Sequence, residues 1–134
     1  MERLNLRLSV LSKALDRFKD ALDLFKTIDE SEKIYSHIRD SVIQRFEFSV
    51  DIFWKCLKDY LGLKHKINLA SPRSVMKECF AQRIIDEEEL KIFEDMIDDR
   101  NDTSHVYNEI MSQDIAENAY EYYRLIMIVK ARLQ

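Results

Sequence analysis

Helix and turn breakers are scarce in this 134-residue chain, which holds one glycine, Gly62, and one proline, Pro72. Folds built from many tight turns draw on both residues repeatedly. A turn-rich β architecture is therefore excluded, and long helices are expected. A single glycine also rules out a glycine-rich loop that cradles phosphates. No apolar run approaches the roughly 20 residues that a bilayer span needs, so no membrane association is expected. The start, Met1-Glu-Arg-Leu-Asn, enters a charged amphipathic segment directly and reads as lacking a signal peptide. Cysteine is limited to Cys56 and Cys79, each inside an apolar stretch, with neither CxxC spacing nor a histidine cluster nearby. These read as buried reduced thiols of a cytoplasmic protein. No spacing of His, Cys and Asp marks a zinc site, and neither a metal nor a cofactor is expected.

What the chain does contain is 46% hydrophobic and 34% charged residues, the composition of a folded globular protein. Its length fits one domain over residues 1–134. Leu4, Leu8, Leu11, Leu15, Phe18, Leu22 and Phe25 recur at alternating steps of four and three, the seam of a first helix packed along its neighbours. Ser31 is the expected cap of a second helix running from about 32 to 61, ended by Gly62. Along it Ile43, Phe46, Val50, Phe53, Leu57 and Tyr60 form one stripe, while Ile38, Val42, Ile52, Trp54 and Cys56 fall largely off it. A helix apolar on more than one face must bury more than one face, which points to a homodimer joined through this helix. Ser71-Pro72 starts a short helix to about Gln82. Asp86 and Glu89 form a capping box for the next, and Ser112 or Asp114 opens the last. The expectation is an all-α, antiparallel four-helix bundle with an extra short helix.

Chemistry concentrates in Arg100-Asn101-Asp102-Thr103-Ser104-His105-Val106-Tyr107. A permanent cation, an amide, an imidazole and a phenol fall within eight residues. On a continuous helix His105 would point roughly 140° away from Arg100, so convergence requires the helix to bend or fray near 102–104, or a second subunit to complete the set. Such a set suits phosphodiester cleavage. Arg100 can fork onto a phosphate, and His105 is suited to proton transfer near neutral pH. Asn101 can orient either group, and with a ribose 2′-OH as nucleophile no metal is required. Read from these residues alone, a mixed polar turn that caps a helix by its own hydrogen bonds is the commoner explanation of such a segment.

Arg-x4-His-x-Tyr, here Arg100, His105 and Tyr107, resembles the signature of HEPN domains (higher eukaryotes and prokaryotes nucleotide-binding). The helix from Arg39 to Leu61, the block Ser71-Pro-Arg-Ser-Val-Met-Lys-Glu, and Asp99 to Glu109 resemble, in order, the nucleotidyltransferase substrate-binding branch. The resemblance implies a HEPN-like helical-bundle dimer working beside a cognate minimal nucleotidyltransferase, and it supports two functions. In one, the chain is the RNase toxin of a toxin–antitoxin pair, with Arg100, His105 and Asn101 as its catalytic groups. Its nucleotidyltransferase then silences it by transferring AMP to Tyr107. In the other, the chain is a non-catalytic subunit that binds a nucleotide or other substrate for its partner.

Electrostatics divides these readings. The formal charge of −4 opposes broad nucleic-acid binding. Between 86 and 102, nine acids face Lys91 and Arg100, with Asp98, Asp99 and Asp102 as expected partners of Arg100. Lys64, Lys66, Arg73, Lys77 and Arg83 precede that run. They serve either as phosphate contacts for RNA or as counter-charges to the acids. Arg45 and Glu47 read as a structural ion pair or dimer contact, Phe53 and Trp54 as core or interface, and Tyr120, Tyr122 and Tyr123 as packing residues with hydroxyls near water.

Overall fold

The computed structural model describes residues 1–104 and 108–134. Among these, five helices follow one another: α1 (Glu2–Thr27), α2 (Tyr35–His65), α3 (Pro72–Ala81), α4 (Glu87–Asp102) and α5 (Glu109–Arg132). The fold is an all-α bundle in which α2 is the central helix, packed against α1, α3, α4 and α5. The α1 seam is buried from Leu4 to Leu22. It meets Phe46, Val50, Phe53 and Leu57 of α2 in one core that Phe93, Met96, Ala119, Ile126 and Val129 complete from α4 and α5.

The central position of α2 corrects one expectation. Ile38, Val42 and Cys56, off the main stripe, are buried inside this chain. The wide apolar arc is needed because helices surround α2, and no second subunit is required to cover those three residues. Phe48 remains half exposed, and Ile52 and Trp54 are partly buried at the rim of the core.

Local chemistry sets most helix ends. Ser71 Oγ accepts from Ser74 N at 3.3 Å, with Pro72 in the first turn where its missing N–H leaves no bond unmade. Asp86 and Glu89 close the capping box at 2.8 and 2.9 Å. Arg132, at the far end of α5, then clamps both Glu89 carboxylate oxygens at 2.9 Å, which fixes α4 and α5 antiparallel.

Three expected boundaries move. Ser31 does not cap α2: its N–H donates to Asp29 Oδ1 at 3.0 Å in a local turn, and the helix begins at Tyr35. Gly62 does not end α2, because Leu61 and Leu63 pack on the core either side of it and outweigh the glycine's cost of about 1 kcal/mol. The stop comes at Lys66, in the left-handed region with φ 58°. Finally, Asn108 rather than Ser112 or Asp114 opens α5, its side chain accepting from Met111 N at 3.1 Å.

Candidate active site around Arg100

Arg100 lies in the last turn of α4, where the unpaired carbonyls favour a cation. Its guanidinium turns away from the acids of its own helix and onto α2. Nε donates to Asp51 Oδ1 at 2.9 Å and Nη2 to Asp51 Oδ2 at 3.0 Å, a bidentate fork. Glu47, one turn earlier on α2, lies 3.2 Å from Nη1. Nη1 also donates to Thr103 Oγ1 at 3.3 Å, while that hydroxyl donates to the Arg100 carbonyl at 2.7 Å. Hydrogen bonding by Asp51 raises the Arg100 pKa above its ordinary value, against the opposing effect of burial. The result is a permanent cation in a fixed orientation with 23% of its side chain still exposed.

Two of the three α4 acids expected to hold Arg100, Asp98 and Asp99, are engaged elsewhere, and Asp102 forms no ion pair with it among the described residues. Asp98 pairs with Arg73, which also lies 3.7 Å from Glu94. Asp99 accepts from Tyr122 Oη at 2.6 Å, so this tyrosine's hydroxyl bonds to protein instead of water. Burial pushes the Asp99 carboxyl above the usual range, Tyr122's hydrogen bond opposes the shift, and neighbouring Asp102, Asp95 and Asp98 add to it. Geometry explains the exchange: i, i+1 and i, i+2 neighbours on a helix do not face one another, whereas Glu47 and Asp51 stand across the α2–α4 interface. Glu47 thus pairs with Arg100 and not with Arg45.

The Arg73 pairing assigns a role to one of the 64–83 cations. Arg73 is a counter-charge to α4, and Lys64, Lys66, Lys77 and Arg83 stay exposed.

Asn101 is exposed beside Arg100, its carbonyl accepting from Ser104 Oγ at 2.9 Å. Helix α4 ends at Asp102 and turns at 103–104, where one of the two expected routes to convergence needs an interruption. His105 and Tyr107, the expected proton-transfer group and AMP acceptor, lie outside the described residues. At the α2 start, buried Arg39 lies 3.7 Å from both Asp40 and Glu109, tying α2 to the first turn of α5. Sequence reasoning missed Asp51 and Arg39. The available signal for Asp51 was its position one turn after Glu47, a carboxylate pair on a mostly apolar helix that demands a cation. Burial pushes the Cys56 and Cys79 thiols up to about 12, so neither is a nucleophile. Among the described residues no group of His, Cys, Asp and Glu is placed to hold a metal ion, and no helix is long and apolar enough to cross a membrane.

The family model for nucleotidyltransferase substrate binding protein-like proteins matches residues 6–134. The chain belongs to this family. A crystal structure of a protein from Thermus thermophilus is similar to this family member, with a TM-score of 0.81 and 32% identity. The match covers 92% of this chain and 98% of that one. No curated protein matches. The family's name associates its members with a nucleotidyltransferase, and the motif-bearing segment Asp99 to Glu109 lies inside the matched region.

Proposed function

We propose that this family member is a metal-independent HEPN ribonuclease, acting as one domain over residues 1–134 and held in check by its cognate minimal nucleotidyltransferase. The observation that carries the reading is the fixed guanidinium of Arg100, anchored across the helix interface and exposed on one side, five residues before His105. In the step it serves, the ribose 2′-oxygen attacks the adjacent phosphorus while the bond to the 5′-oxygen breaks. The products are a 2′,3′-cyclic phosphate and a 5′-hydroxyl. His105 takes the 2′-OH proton, and a proton is returned to the leaving oxygen. Arg100 stabilises the charge on the non-bridging oxygens, and Asn101 orients the phosphate or ribose. Asp51 keeps its fork throughout, while the single Glu47 contact on Nη1 yields to the incoming phosphate.

Silencing follows from the same site. The Tyr107 hydroxyl oxygen attacks the α-phosphorus of ATP in the partner's active site, pyrophosphate leaves, and the attached AMP adds bulk and negative charge close to Arg100 in sequence. A homodimer joined through α2 and the motif-bearing segment fits Phe48 and Ile110, which stand 50% and 76% exposed. Two free thiols fit a reducing cytoplasm.

One observation favours a second reading. Arg100 already faces two carboxylates, so its local charge is balanced without any phosphate. On that reading the chain is a non-catalytic substrate-binding subunit and Arg100 holds α4 to α2. Incubating purified protein with total RNA in excess chelator separates the two. The ribonuclease reading expects cleavage that His105→Ala abolishes, and the second expects none from either protein.

A further inference from the structure

The acidic character of this chain leaves open where a polyanion would be held, and the α1–α2 face supplies an answer. A cleft of about 480 Å³ opens between the start of α1 and the last turns of α2, lined by Arg3, Arg7, Trp54, Lys55, Lys58 and Asp59 among others. Asp59 is its one carboxylate among the described residues. The carboxylate positions the arginines: Arg7 Nε lies 2.9 Å from Oδ2 and Arg3 Nε 3.9 Å from Oδ1, with Asp59 itself only 11% exposed. Lys55 and Lys58 form no ion pair among the described residues, unlike Arg73, Arg100 and Arg132, each of which is matched to acids. Four cationic side chains against one carboxylate make this concavity locally positive in a protein of charge −4, which favours an anion.

Its position links it to Arg100. Glu47, Asp51, Trp54 and Lys58 recur at steps of four, three and four, which places them on one face of α2. Lys58 therefore stands about 10 Å along the helix from Asp51, the residue that anchors Arg100. Partly exposed Trp54 lies between them, an indole face of the kind on which unpaired bases stack. We propose that this cleft grips the phosphate backbone of single-stranded RNA next to Arg100, an inference that rests on the ribonuclease reading for its choice of ligand. Arg3, Arg7, Lys55 and Lys58 supply the sequence-independent attraction that the acidic α4 denies, and Trp54 supplies stacking.

Fluorescence polarisation of a labelled single-stranded RNA tests this, with full-length His105→Ala protein in chelator across a salt series. The variant Arg3→Ala/Lys58→Ala is compared with Lys33→Ala/Lys91→Ala, which removes the same charge from exposed positions outside the cleft. The cleft variant is expected to bind roughly tenfold more weakly, with a salt slope smaller by about 1.4, while the control stays near the parent. Thermal melts confirm folding, and Lys55→Glu serves as a second, single-site variant with the same expected direction. Equal affinity and slope for the two double variants overturns the proposal. So does loss of ATP binding, and not RNA binding, in the cleft variant, which makes the cleft a mononucleotide pocket. Cleft-dependent binding by an unmutated protein that cuts no RNA removes the ribonuclease reading and leaves the cleft standing. Cleavage with cleft-independent binding does the reverse.

Discussion

Replacing Asp51 with alanine removes both acceptors of the Arg100 fork and leaves Glu47 and Thr103 as its remaining partners. A charge-assisted hydrogen bond is worth about 1.5–3 kcal/mol when well shielded. Here the Asp51 side chain is 41% exposed and Arg100 23%, so solvent screening reduces the expected cost to about 1 kcal/mol. For a chain of this length that lowers Tm by about 3–5 °C. The assay is a double-mutant cycle of Asp51→Ala, Arg100→Ala and the pair, read by thermal and urea unfolding. A coupling energy of about 0.5–1 kcal/mol is expected. Glu47→Gln should cost less, since it makes one contact where Asp51 makes two. Additive single-variant effects, with no coupling, would refute the claim that α2 holds Arg100 in place.

Three further outcomes follow from the same contacts. Phe53→Ala or Phe93→Ala removes one of two fully buried rings whose centroids lie 5.2 Å apart; a loss of about 3–5 kcal/mol is expected, checked by urea titration. Arg132→Ala frees Glu89 and should cost about 1 kcal/mol at neutral pH. Arg132's hydrogen bond lowers the Glu89 pKa, so that contribution is complete above the unfolded value near 4.3 and is lost as pH falls through the lower folded value. Melts of wild type and variant should therefore converge in acid. Asp99 has the opposite sign: burial raises its folded pKa, so its ionisation costs stability as pH rises through that value. Asp99→Asn keeps an acceptor for Tyr122 and should melt slightly higher than wild type at pH 7, by less than about 1 kcal/mol, with the gap closing in acid.

Legibility in the sequence tracks how local each signal is. The α1 seam and the Ser71-Pro72 and Asp86/Glu89 starts depend on residues within one or two turns, and the structure bears them out. The start of α5 is misplaced in sequence because Ser112 and Asp114 are competent caps, whereas the structure places the cap four residues before Ser112, with Asn108 accepting from Met111 N. The end of α2 is hidden for a related reason, since core contacts of Leu61 and Leu63 override Gly62. Long-range pairing is the least legible. Arg100 meets Asp51 across 49 residues, and Arg7 meets Asp59 across the open end of the α1–α2 hairpin. No spacing rule connects either pair, so the acids adjacent to Arg100 look like its partners and the basic cleft leaves no trace in the sequence. Arg100 itself is legible, and so is an interruption near 102–104, one of the two ways its motif could converge.

The central claim is that Arg100 and His105 cut RNA without a metal, and one experiment tests it most directly. Unmodified protein, Arg100→Ala and His105→Ala are each incubated with end-labelled transfer RNA in excess chelator, and the product termini are identified. Fragments ending in 2′,3′-cyclic phosphate are expected from the wild type, and at least 100-fold slower cleavage from each variant, about the contribution of a positioned acid–base group. Intact RNA from folded wild-type protein, or cleavage that survives both substitutions, would contradict the claim.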